Sequence, residues 1–132
     1  KTQVLLMLAQ LIVSVSFAQP PKDVQEILMS KSWRILNGDY KEILPQSRIV
    51  FTPDSITIFD GLSDSRLSRP YYLCDKKEKS FDEEKIGKAR NGRYIIEPGR
   101  KVSASEIISV SENEVKIIND SNKIRIFVSI SE

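Results

Sequence analysis

Arg48-Ile49-Val50-Phe51-Thr52-Pro53-Asp54-Ser55-Ile56-Thr57-Ile58-Phe59-Asp60-Gly61 decides the fold class of this 132-residue chain. Two short runs of β-branched and aromatic residues flank Pro53-Asp54. Proline presets φ at the first central position of a turn, and aspartate can bond nearby backbone. The stretch therefore reads as a β-hairpin, with Gly61 closing its second strand. Its two strands are expected over about 47–52 and 55–60.

The same alternation of short strand and polar turn continues on both sides of the hairpin. Before it, Ser32 to Asn37 alternates Trp33 and Ile35 with Arg34 and Leu36, and Gly38-Asp39 ends the run. After it come Arg69 to Cys74, Arg93 to Glu97, Ser103 to Val110, Glu114 to Ile118 and Lys123 to Ser131. In the last of these, Ile124, Ile126, Val128 and Ile130 share one face, a plain period of two. Asn91-Gly92, Pro98-Gly99 and Asn119 to Asn122 supply turns. The charge-dense stretch Asp75 to Lys88 is expected to be the longest loop, with a helical turn around Phe81 to Ile86.

Upstream, Pro20-Pro21 opens a short helix in which Val24, Ile27 and Leu28 form one apolar stripe. Two to three turns are too short to stand alone in water, so this helix must lie against the sheet. Tight turns favour antiparallel neighbours. The expected fold is all-β: an eight-stranded antiparallel up-and-down barrel with a short N-terminal helix, the alternative being a β-sandwich. Closure into a barrel removes exposed edges and can leave room for one small ligand.

Residues 1–18 read as a signal peptide. Lys1 precedes the apolar run Val4 to Val15, and Ser16-Phe17-Ala18 has the small residues that a signal peptidase requires. The apolar run is shorter than the ~20 residues of a membrane span. Export by a Sec-type route is expected, to the periplasm or outside the cell, with cleavage before Gln19 and no membrane span in the mature chain. Residues 19–132 are then a single domain. Without Lys1 it carries 19 basic and 18 acidic residues, so nucleic acid is not an expected partner. Cys74 is the sole cysteine, which excludes an intrachain disulfide, and it reads as a small buried hydrophobe, the alternative being an intermolecular disulfide.

The chain has no histidine, which removes Ser-His and Cys-His nucleophile pairs and imidazole metal sites. Its five glycines stand singly at turns, so no phosphate-binding loop is present. Asp75, Asp82, Glu83 and Glu84 are interleaved with Lys76, Lys77, Lys79 and Lys85, the pattern of a solvated, self-neutralising loop. No catalytic residues, no metal site and no cofactor are expected, and the chain is not expected to be an enzyme.

With its short helix, Trp33 near the start of the first strand, consecutive strands and Arg125 in the last one, the chain resembles small lipocalin-like (calycin-type) β-barrel domains of exported bacterial proteins. Lys31 stands where that family usually has glycine. The stretches Tyr71-Tyr72-Leu73-Cys74-Asp75, Phe81-Asp82, Lys85-Ile86-Gly87-Lys88 and Gly92-Arg93-Tyr94-Ile95-Ile96 look like small exported proteins of unassigned function. The resemblance implies structural roles for Trp33 and Arg125, the guanidinium lying over the indole at the closed end of the barrel.

Two functions follow as expectations. In the first, the barrel is a non-catalytic carrier holding a small apolar ligand against Trp33, Phe51, Ile58, Tyr72 and Tyr94, because ligand pockets are mostly apolar and aromatic. In the second, it is a protein-interaction module, an inhibitor or an accessory subunit of an envelope complex, using the Asp75 to Lys88 loop for contact.

Overall fold

The computed structural model describes residues 22–130. The expected signal peptide and Pro20-Pro21 lie outside the described residues. A short helix α1 (Val24–Ser30) precedes nine strands: β1 (Trp33–Asn37), β2 (Arg48–Phe51), β3 (Ser55–Phe59), β4 (Arg66–Pro70), β5 (Tyr72–Cys74), β6 (Tyr94–Glu97), β7 (Ser103–Val110), β8 (Glu114–Ile118) and β9 (Ile124–Ser129). All pair antiparallel in one sheet, in the order β4-β3-β2-β1-β9-β8-β7-β6-β5. The two terminal strands of that order are separated in sequence by Tyr71 alone, so the sheet curls round until its ends meet. The result is a nearly closed barrel, not a sandwich of two sheets.

Nine strands replace the expected eight because the run around Arg69 to Cys74 is divided. Arg66–Pro70 pairs with β3, and Tyr72–Cys74 pairs with β6. Between them, the Tyr71 amide donates to the Asp54 carbonyl at 3.3 Å and its hydroxyl donates to the Thr52 carbonyl at 2.8 Å. Pro70 has no amide to offer, so the ladder changes partner there.

The opening hairpin forms as expected, Arg48–Phe51 pairing with Ile56–Phe59. Its turn is fastened less by the aspartate than by the hydroxyl of Thr52, which accepts the Ser55 amide at 3.0 Å and donates to Asp54 Oδ1 at 2.8 Å. Gly61 lies against the Gln46 carbonyl, where a Cβ would collide with backbone.

Strand alternation sorts the side chains. Trp33, Ile49, Phe51, Tyr71, Leu73, Ile95, Val115, Ile117 and Phe127 point inward and, with Leu28 of α1, form one buried cluster that fills the interior. Phe51 is its centre, meeting Tyr71 and Phe127 edge-to-face at 5.7 and 5.8 Å. Such pairs contribute about 0.5–1.5 kcal/mol beyond area burial. In β9 it is Phe127 that joins this core, while on the other parity Ile124 is exposed and Ile126 is buried.

Helix α1 covers one end of the barrel with the stripe read from sequence: Leu28 is buried, and Val24 and Ile27 pack on the same core. Asp23 at its N-cap position makes no capping bond and instead accepts from Arg90 Nε (2.7 Å) and Asn91 Nδ2 (2.9 Å). The Gln25 side chain donates to the Pro53 carbonyl at 3.1 Å. These bonds tie the helix to two loops at that end. Among the described residues no helix is long and apolar enough to cross a membrane.

Candidate functional site

The outer face of a small barrel is ordinarily polar, because only the inner face is buried. On β5, β6 and β7 the outward side chains are instead Tyr72, Cys74, Tyr94, Ile96 and Ala104. An apolar outer face needs a cover, and the 75–88 segment provides it. Phe81 and Ile86 turn down onto Tyr72, Ile96 and Ala104 to make a second small core outside the barrel. The Tyr72 and Phe81 rings sit 5.0 Å apart. A 3-10 turn, Glu83–Lys85, lies within the expected helical region, with the Asp82 carboxylate accepting the Glu84 amide at 3.1 Å.

Polar contacts then lock the segment in place. The Tyr72 hydroxyl donates to Glu78 Oε1 at 3.2 Å and accepts the Asp82 amide at 3.3 Å. Lys85 Nζ donates to the same Glu78 oxygen and lies 6.0 Å from the Tyr72 ring centre. The Lys85 hydrogen bond, followed in weight by that from Tyr72, holds the Glu78 carboxyl below its ordinary range despite partial desolvation. The reciprocal bond raises Lys85. Burial pushes the Tyr72 phenol up.

With Lys85 so engaged, Lys76, Lys77, Lys79 and Lys88 stand exposed around two grooves. One, of about 540 Å³, is lined by Lys77, Glu78, Lys79, Lys101, Val102 and Asp120. The other, about 330 Å³, runs past Cys74, Asp75, Lys76, Lys85 and Lys88. Within the first, Lys77 meets Asp120 only at 3.9 Å, while Asp120 Oδ2 accepts the Ala104 amide at 3.0 Å. Among the described residues Lys76, Lys79 and Lys88 enter no ion pair, and Lys77 enters only this long one. This chemistry suits carboxylates on another surface.

The five residues expected to line a ligand cavity do not converge. Trp33 and Phe51 are buried in the interior cluster, and Ile58 packs against it from β3. Tyr72 and Tyr94 point to the opposite side of the barrel wall, into the outer cluster. Adjacent residues of a strand face opposite sides, so Tyr71 takes the inward place and Tyr72 the outward one. None of the five lines any of the five grooves of 330–540 Å³.

Arg125 is likewise not beside Trp33. Trp33 pairs with Ser129, and Arg125 with Asn37 at the other end of β1. Four residues of strand separate them, about 13 Å. The Trp33 indole instead donates to the Leu28 carbonyl at 2.8 Å, tying the barrel to the helix. Among the described residues no group of three acidic or cysteine side chains could hold a metal ion.

The sequence reading passed over Glu97. It shares the inward face of β6 with Ile95, across from Ser103. Burial raises its carboxyl above the ordinary range, and the Arg69 charge only partly opposes this. Ile95 and Ile96 are apolar on both parities, so alternation alone does not say which side of the wall Glu97 takes. A raised carboxyl pKa favours folding below the unfolded value of about 4.5, and that advantage is lost as pH rises through the folded value. Glu97→Gln should therefore raise the melting temperature near about pH 7 and have little effect near about pH 4. Thermal unfolding at the two pH values checks the sign; a variant less stable at neutral pH would refute it.

Compared with protein-family models, with curated proteins and with solved structures, the chain finds no match in any of the three.

Proposed function

We propose that this chain is an exported, non-catalytic, lipocalin-like barrel that works as a protein-interaction module, an inhibitor or accessory subunit of an envelope complex, through its 75–88 surface. The observation that carries the reading is the outer cluster. A loop rich in lysine and glutamate packs on its own small core of Tyr72, Phe81, Ile86 and Ile96, which holds it against the barrel wall. Preorganised loops lose less entropy on binding than mobile ones. The interior, by contrast, holds the large side chains of the buried cluster.

The exposed lysines point to an acidic partner face. Charge reversal at Lys76, Lys77 and Lys79 leaves the apolar contacts of the outer cluster intact, since all three side chains are exposed, and gives up only the long 3.9 Å pair of Lys77 with Asp120. The triple Lys→Glu variant should keep its melting temperature and lose at least about tenfold in affinity for the captured partner, ~1.4 kcal/mol. Capture from envelope extract, followed by titration with the purified partner at two salt concentrations, measures this. Unchanged affinity, or saturable uptake of a lipophilic fluorescent probe by the barrel, would overturn the reading.

A further inference from the structure

The barrel is nearly closed rather than closed, and the register identifies what is left open. Tyr71 N–H donates to the Asp54 carbonyl, and Asp60 N–H donates to the Ser65 carbonyl. Bonded pairs alternate along an antiparallel ladder. These two bonds therefore place Leu67 and Arg69 in the bonded pairs with Ile58 and Ile56, and turn the N–H and C=O groups of Arg66 and Ser68 away from β3. Pro70 turns its carbonyl the same way. Among the described residues β4 has no strand neighbour on that side.

The cause lies in β6. Its ladder with β5 runs Tyr72↔Ile96, so two residues further on Pro70 would face Pro98. The chain turns at Pro98-Gly99 instead, after Glu97. Arg69 donates its guanidinium to the Pro98 carbonyl across the gap, and no strand among the described residues continues the line of β6 beside Ser68 and Arg66. All five β4 residues are exposed, Leu67 by 58 % even though it sits opposite inward-facing Ile58. A groove of about 390 Å³ lined by Asp54, Ser55, Ser68, Arg69, Pro70 and Ile86 runs along this edge on the outside.

We propose that the free edge of β4 takes an extended acidic peptide segment of a partner protein, which adds a strand in the place β6 vacates and completes the barrel seam. Strand addition draws affinity from main-chain bonds and specificity from alternate side chains. Here the visiting strand meets Arg66 and Arg69, neither in an ion pair among the described residues, and sets one face against Pro70 and Ile86. A second copy of this chain fits less well, because two β4 edges side by side would bring four arginines together. Pro70 ends the usable edge at one side, which confines the visitor to a short segment. The edge stands independently of the lysine surface on the 75–88 loop.

The test uses the mature chain and a fluorescein-labelled decapeptide alternating valine and glutamate, with a valine–lysine peptide as control. Binding of the acidic peptide should slow hydrogen exchange at the Arg66 and Ser68 amides, leaving Leu67 and Arg69, already bonded to β3, unchanged. Arg66→Glu with Arg69→Glu should weaken binding at least about tenfold. Ser68→Pro removes one edge donor and no β3 backbone bond but also gives up the 2.7 Å hydroxyl contact with Thr57. It should do the same in a protein of unchanged circular dichroism, while Ser68→Ala, which loses that hydroxyl contact alone, should bind the peptide as the parent does. The triple loop variant should bind the peptide as tightly as the parent, so that this edge and the loop surface fail separately. Equal binding of the lysine peptide, protection on another strand, or dimerisation of the free chain through β4 would each overturn the proposal.

Discussion

Trp33→Ala is expected to lower the melting temperature by more than about 10 °C. The indole is fully buried, at 0 % exposure, where β1, the barrel core and helix α1 meet. Truncating a buried tryptophan to alanine costs about 3–5 kcal/mol, against a total stability of roughly 5–15 kcal/mol. For a domain of about this size each kcal/mol shifts the midpoint by roughly 4–8 °C. The substitution also orphans the Leu28 carbonyl, which takes the indole N–H at 2.8 Å, and loosens the helix that closes this end. Arg125→Ala should cost far less and should add to Trp33→Ala without coupling, because sites beyond about 7–10 Å with no shared partner are additive. Thermal unfolding of the two single variants and the double variant gives the cycle. Strong coupling between them would contradict the register of β1 on β9. A solvent-exposed tryptophan emission in the native protein would contradict the burial.

Tyr72→Ala should act locally and almost as strongly. Removing the ring takes away the stacking partner of Phe81 and the hydroxyl that holds Glu78 and the Asp82 amide. The outer cluster is small, so the 75–88 segment can open without unfolding the barrel. A loss of about 3 kcal/mol there corresponds to a rise of roughly a hundredfold in the opened population. Limited trypsin digestion at Lys76, Lys77, Lys79 and Lys85 reads that population directly when opening is fast relative to cleavage. Tyr72→Phe keeps the ring and loses only hydrogen bonds, about 1 kcal/mol, so cleavage should rise about fivefold. Cleavage unchanged in Tyr72→Ala would show that the segment is held by something other than this cluster. The same lock responds to acid. Glu78 is held below its ordinary pKa by Lys85, so its contribution is present above about pH 4.5 and is lost as pH falls through the lowered folded value.

These two residues also mark the boundary between sequence and structure. Trp33 carried its own meaning: a large aromatic alternating with Ile35 in a β-type run has one obvious place, inside. Tyr71 and Tyr72 did not. Arg69-Pro70-Tyr71-Tyr72-Leu73-Cys74 has apolar residues on both parities, because the strand is buried on both sides once the loop folds over it. Period-two reasoning works only where one face stays wet. Trp33, Phe51 and Ile58 pack with the interior cluster and Tyr72 and Tyr94 with the outer one for that reason: aromaticity identifies burial, not the side of the wall.

By itself, the sequence determined the antiparallel all-β class, the hairpin at Pro53-Asp54, the amphipathic stripe of the short helix, and all but one of the strand positions to within a few residues. Those features are written in local alternation and turn chemistry, which act over four to eight residues and need no distant partner. Only the tertiary structure decided the ninth strand, the second core beneath the charged loop, the inward place of Glu97 and the open edge of β4. Each depends on which strand lies beside which. The register of Arg125 against Asn37 and the early turn of β6 at Pro98-Gly99 arise from closing one sheet on itself, and closure is set by packing across the barrel rather than by any neighbour along the chain.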